Sequence, residues 1–144
     1  MTENQKTAEK YLLKIRKQSK RLKSLLNEIE ALEYAAAGQG AISYEKDRVQ
    51  KSTDRNIKLV EFMDDIINKK NEFDEVEAEL DELKITSYHI IKKIENIDER
   101  IILEWYYINA KSMEEIIKKI SVSERKAYYL REEALESFGT IFMS

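Results

Sequence analysis

The chain has 144 residues, a net charge of −3, 37% charged residues, three Gly, and neither Cys nor Pro. Without Cys there is no disulfide, no thiolate metal site and no Cys nucleophile, and with so few breakers long helices are the default. No apolar run approaches the ~20 residues that span a membrane and no secretory signal is visible, which points to a cytoplasm.

The length suits one ordinary domain or two small ones. From Lys6 to Ala37 the chain reads as one helix. Tyr11, Ile15, Gln18, Leu22, Leu25, Ile29, Leu32 and Ala36 alternate spacings of four and three, a heptad seam with Gln18 as its polar member. Lys10 to Lys23 holds seven basic residues and no acid. Such a run reads as a solvated helix face or as an extra phosphate contact.

Gly38-Gln39-Gly40 is a helix stop. Residues 41–53 form a connector without clear period, and Thr53 or Asp54 is the expected cap of the next helix. The second seam runs through Leu59, Phe62, Ile66, Lys69, Phe73, Val76, Leu80, Leu83, Ser87, Ile90, Ile94, Ile97 and Ile101. A helix over residues 55–97 would be about 65 Å long, against about 45 Å for the first. The surplus seam must meet the C-terminal segment, another copy or a partner. The Asp and Glu of this helix are spaced as solvating charges with Lys partners. His89 falls on an outer face.

Ile101-Ile102-Leu103-Glu104-Trp105-Tyr106-Tyr107-Ile108 is apolar nearly all round, so a helix there is buried. It is the expected support for the C-terminal helices. Ser112, with Glu115 three positions on, is a capping box opening a short helix with apolar Ile116, Ile117 and Ile120. Ser121-Val122-Ser123 breaks the pattern, and Ser123 caps a second helix from Glu124. Two helices joined by so tight a turn form a helix-turn-helix, whose second helix commonly enters a DNA major groove.

Ser121 stands where that turn often has a left-handed Gly, at a cost of about 1 kcal/mol. Ile116, Ile120, Val122, Ala127 and Leu130 point inward. Ile117 is large where a small residue is usual, and Ala127 small where a large one is usual, so the two exchange volume across one contact. Glu124, Arg125, Tyr128 and Tyr129 then face outward as base-reading candidates. Arg125 suits a guanine edge and Glu124 a cytosine amine. The tyrosines suit thymine methyls or phosphates. Lys111, Ser112, Lys118, Lys126 and Arg131 are better placed for phosphates.

Lys111 to Arg131 carries six basic and three acidic groups, so the segment is locally +3. Local charge governs phosphate contact because screening limits its reach to about 8–10 Å. The expected fold is all-α: a long helical, coiled-coil hairpin over residues 1–97, then a small helix-turn-helix domain over 98–144. No catalytic cavity, metal or cofactor is expected, and no enzyme.

Ser43-Tyr44-Glu45-Lys46-Asp47-Arg48-Val49-Gln50-Lys51-Ser52 resembles the connector motif of phage late-operon transcription regulators of the ArpU/RinA type. Tyr107-Ile108-Asn109-Ala110-Lys111-Ser112-Met113-Glu114-Glu115-Ile116, with Ser123 and Ala134-Leu135, resembles that group's DNA-binding unit, itself similar to the promoter-reading domain of bacterial sigma factors. Met113 stands where the group usually has Trp, Ser121 replaces a Gly and Tyr129 replaces a basic residue. The resemblance implies an activator acting in the bacterial host cytoplasm on promoters of packaging and structural genes. It places Glu124, Arg125, Tyr128 and Tyr129 where sigma-like domains contact bases. Double-stranded DNA is the implied partner, and a homo-oligomer through the heptad seams is expected. A contact with host RNA polymerase is compatible with this role, though no residue points to it. A phage DNA-packaging recognition subunit and a structural coiled-coil adaptor are the alternatives.

Overall fold

The computed structural model describes the backbone of residues 1–39 and 48–144 and the side chains of 1–38 and 56–144. The chain is all-α. Helix α1 spans Glu3–Gln39 and α2 spans Arg48–Ile91. Helix α3, Ile97–Ile102, runs on without a break into a π-helical stretch, Leu103–Ile108. Helices α4, Met113–Ile120, and α5, Glu124–Met143, complete the described residues. The connector motif over Ser43–Ser52 has side chains that lie outside the described residues. Helix α2 already runs at Arg48, so Thr53 and Asp54 are inside it and are not its cap. Neither Gly nor Pro interrupts residues 48–54, so nothing there ends a helix.

The residues form two compact units, one of Leu22–Glu77 and one of Met1–Arg21 with Ala78–Ser144. The division falls within α1 and α2, away from the 97/98 boundary expected from sequence.

In the first unit the two long helices form a hairpin. Leu25, Ile29, Ala36, Ile66 and Val76 are buried, with Leu22, Leu32, Phe62 and Phe73 half-buried beside them. Within this unit the apolar face of each seam is thus covered by the other helix of the same chain. Polar Lys69 keeps its place by reaching Glu28 at 3.1 Å, with Glu72 at 3.9 Å. The hydrogen bond to Glu28, and then its charge, hold this ammonium above the ordinary lysine pKa. Lys70 reaches Glu33 at 3.6 Å. These exposed pairs add little to stability but favour one register over its neighbours.

In the second unit the seam continues through Leu80, Ser87 and Ile94, all buried. The helix does not continue to residue 97 as expected. It tightens instead: Lys93 N–H donates to Ile90 O and Ile94 N–H to Ile91 O, both at 3.0 Å. Asn96 then accepts from Glu99 N–H at 3.1 Å and starts α3. Arg100 Nε donates to Ile94 O at 2.6 Å, satisfying a carbonyl released by the break. The register is lost there, and Ile97 is 67% exposed.

The start of α1 covers the C-terminal elements. Ala8, Leu12 and Ile15 are fully buried, and Tyr11 lies against the rings of Phe138 and Phe142 at 6.2 and 4.9 Å. Gln5 Nε2 donates to Glu132 O at 3.0 Å, and Thr2 Oγ1 donates to Glu136. The backbones of α1 and α5 approach closely at Gly139, where an added Cβ would lie 2.2 Å from Asn4 O. Ser137 Oγ donates to the buried Glu99 at 2.5 Å and ties α5 to α3. Tyr107 is buried edge-on to Tyr106 at 4.8 Å, and burial pushes its phenol pKa far up.

Two outcomes are expected for stability. Gly139→Ala must displace Asn4 or separate the helices, and is expected to cost about 1–3 kcal/mol, read as a drop of several degrees in the thermal midpoint by circular dichroism. Tyr107 keeps its proton in the fold while the unfolded phenol ionises near its ordinary pKa of about 10. Its contribution is thus present below pH 10 and falls away as pH rises further. Urea midpoints measured from pH 8 to 11.5 should decline above pH 10, and decline less in Tyr107→Phe.

Candidate nucleic-acid interface

Helices α4 and α5 form the expected helix-turn-helix, and each starts on a serine cap. Ser112 Oγ accepts from Glu115 N–H and Ser123 Oγ from Lys126 N–H, both at 3.2 Å. Between them Ser121 is left-handed at φ 53°, ψ 48°, and its N–H donates to Ile117 O at 3.0 Å. A non-Gly residue is held in that conformation by what packs on both sides of it. Ile102, Met113, Ile116, Ala127 and Leu130 are buried in one cluster. Trp105, Tyr106, Ile117, Ile120 and Val122 pack against it, half-buried. Ile117 packs against the cluster that holds the small Ala127.

The support helix is more irregular than its composition implies. In the π-helical stretch Asn109 N–H donates to Glu104 O at 2.9 Å, and Lys111 N–H reaches back to Trp105 O at 2.8 Å. Ala110 has φ 54°. Helix α1 satisfies this end from outside. Arg16 Nη1 donates to Tyr106 O at 2.5 Å and Lys111 O at 2.9 Å, and Ser19 Oγ donates to Ile108 O at 3.2 Å. The Arg16 guanidinium also lies 4.0 Å over the Tyr106 ring.

Glu124, Arg125, Tyr128 and Tyr129 are all exposed at the start of α5. Ser123, Arg125, Lys126 and Tyr129 line one shallow, open hollow. Tyr129 is 60% exposed, and its phenol donates to Glu133, whose hydrogen bond and charge keep the proton on. It is therefore available as a neutral, amphipathic ring. Tyr128 belongs to a different group. Arg131 lies 5.0 Å from the Tyr128 ring and 4.9 Å from Tyr106. The structure thus brings Arg125, Lys126 and Tyr129 together, and places Tyr128 and Arg131 in a stack of alternating rings and cations that ends at Arg16.

Of the expected phosphate residues, Lys111, Ser112, Lys118 and Lys126 are exposed. Arg131 is half-buried against its two rings. Lys119 lies 5.4 Å over Trp105, so that indole offers a face to a cation as well as to the core. Arg16 is the residue that sequence reasoning missed. It lies 90 positions from Tyr106, and no local pattern links the two.

The family described as "Protein of unknown function (DUF1492)" matches residues 40–138, and the chain belongs to that family. No curated protein and no solved structure matches the chain. No helix of the described residues is long and apolar enough to cross a membrane.

The strain at the turn is measurable. Ser121→Gly should raise stability by about 0.5–1 kcal/mol, and Ser121→Val should lower it by about 1–2 kcal/mol, since a β-branched residue is far worse there. Chemical denaturation of the two variants beside the parent protein checks both signs.

Proposed function

We propose that this protein is a sequence-specific transcription regulator that binds double-stranded DNA, and that its role is to activate late packaging and structural genes of a bacteriophage. The observation that carries the reading is the exposed cluster of Arg125, Lys126 and Tyr129 at the first turns of the second helix of a helix-turn-helix. Exposed side chains at that end of such a helix are the ones that reach base edges in a major groove. Arg125 is the candidate for bidentate contact with guanine. Tyr129 supplies a ring and a phenol oxygen that can accept, its proton being given to Glu133, and Glu124 supplies a further acceptor. Lys111, Ser112, Lys118 and Lys126 would hold the backbone on either side, fixing register without reading sequence. The Tyr106–Arg131–Tyr128 stack would hold α5 at a set angle to its support.

The phage setting, the bacterial host cytoplasm and the late-gene role rest on the resemblance of the connector and the terminal unit to regulators of the ArpU/RinA type. A packaging recognition subunit would use the same DNA-facing surface, and a coiled-coil adaptor would use none of it. A direct contact with host RNA polymerase fits the activator role. Association of copies into a homo-oligomer would add avidity by presenting paired reading heads.

The test is a polarisation assay on duplexes tiled across the DNA upstream of the genes neighbouring its own. One tile should bind more tightly than a shuffled duplex, and Arg125→Ala with Tyr129→Ala should abolish that preference. Retained preference in the double variant would remove α5 as the reading element.

A further inference from the structure

Helix α1 carries a cationic face that the helix-turn-helix does not use. Lys6, Lys10, Lys14 and Lys17 succeed one another at steps of four, four and three, so they share one side of the helix. All four are exposed. With Glu9 and Leu13 they line one shallow, open hollow. None of the four has an ion-pair partner among the described residues. At about 100° per residue the stripe lies opposite Ala8, Leu12 and Ile15, which are fully buried. The lysines thus face away from α5, on the helix whose other side holds the helix-turn-helix in place.

We infer that this stripe is a second contact for duplex DNA, made to phosphates outside the groove that α5 enters. The inference rests on the DNA-binding reading above and adds a distinct surface to it. Four lysines over about 17 Å of helix, by its 1.5 Å rise, match the length of about five phosphates along one strand at 3.4 Å each. Lysines four apart repel one another, Glu3 and Glu9 offset part of that repulsion, and duplex DNA, a linear polyanion, would meet what remains. A lipid surface suits it less. A helix lying in a membrane interface inserts an apolar face, and the apolar face of α1 is already occupied by the chain's own core. Such a contact carries no sequence information. It adds affinity, salt dependence and a longer footprint.

The experiment compares the full chain with its Lys6→Gln, Lys10→Gln, Lys14→Gln, Lys17→Gln quadruple variant. The probes are a 40-base-pair duplex from the upstream DNA and a shuffled 40-base-pair duplex, titrated between 50 and 200 mM KCl. Each lysine on a phosphate adds about 0.9 to the slope of log affinity against log salt. The quadruple variant should therefore lose about 3.6 from that slope on both probes and bind each at least about tenfold more weakly, while its ratio between probes stays the same. Lys10→Gln and Lys14→Gln singly should each lose about 1, which keeps the test open if the quadruple variant does not fold. Parent protein that binds neither duplex overturns the DNA-binding reading and this inference with it. Parent protein that binds, with the slope unchanged in the variants, overturns the inference alone. Binding to phosphatidylserine vesicles that the variant loses, with DNA binding intact, assigns the stripe to a lipid surface and also overturns it.

Discussion

The first turns of α1 hold the second half of α5 and the support on which the helix-turn-helix packs. Ala8, Leu12 and Ile15 are fully buried, Tyr11 lies against Phe138 and Phe142, and Asn4 meets Gly139 backbone to backbone. Arg16 closes the far end by satisfying the carbonyls of Tyr106 and Lys111. A two-helix unit of this size has too little apolar surface to hold itself. The support under the helix-turn-helix and the second half of α5 therefore take their positions from a segment at the other end of the sequence. The two compact units arise from this arrangement: α1 serves the helix-turn-helix with its first part and the hairpin with the remainder.

Much of this was legible from local chemistry. Serine caps act over three residues, so Ser112 and Ser123 announce both helix starts. Heptad spacing marks the residues that become buried in the hairpin, with Lys69 tolerated because an acid on the facing helix is within reach. The left-handed turn at Ser121 could be placed because the apolar period stops at Ile120 and the next cap, Ser123, follows three positions on. The end of α2 was missed although its signal was present: Asn96 with Glu99 three residues on has the same spacing as the two serine caps. The intact apolar period on either side masked it, since Ile94 and Ile101 keep the register of a continuous seam. The π-helical stretch has no counterpart in composition, because widening by one residue leaves the apolar content unchanged. Arg16 and the Arg131 stack were not legible, because they depend on which helices meet in space.

Charge behaves in the same local way. A net charge of −3 says little about a partner when positive side chains are sorted onto particular faces. One group surrounds the start of α5, and another runs along the outer side of α1. Acids dominate α2, where they solvate a long exposed helix. With interactions screened beyond about 8–10 Å, each face presents its own sign to whatever approaches it.

The meeting of Asn4 with Gly139 also bears on how the protein is made. The segment that emerges early from the ribosome has to wait for its packing partner through more than a hundred further residues, on the order of ten seconds at ordinary synthesis rates. Contacts so distant in sequence also close slowly. The hairpin can assemble while translation continues, whereas the surface proposed to grip a duplex is complete only as α5 comes free.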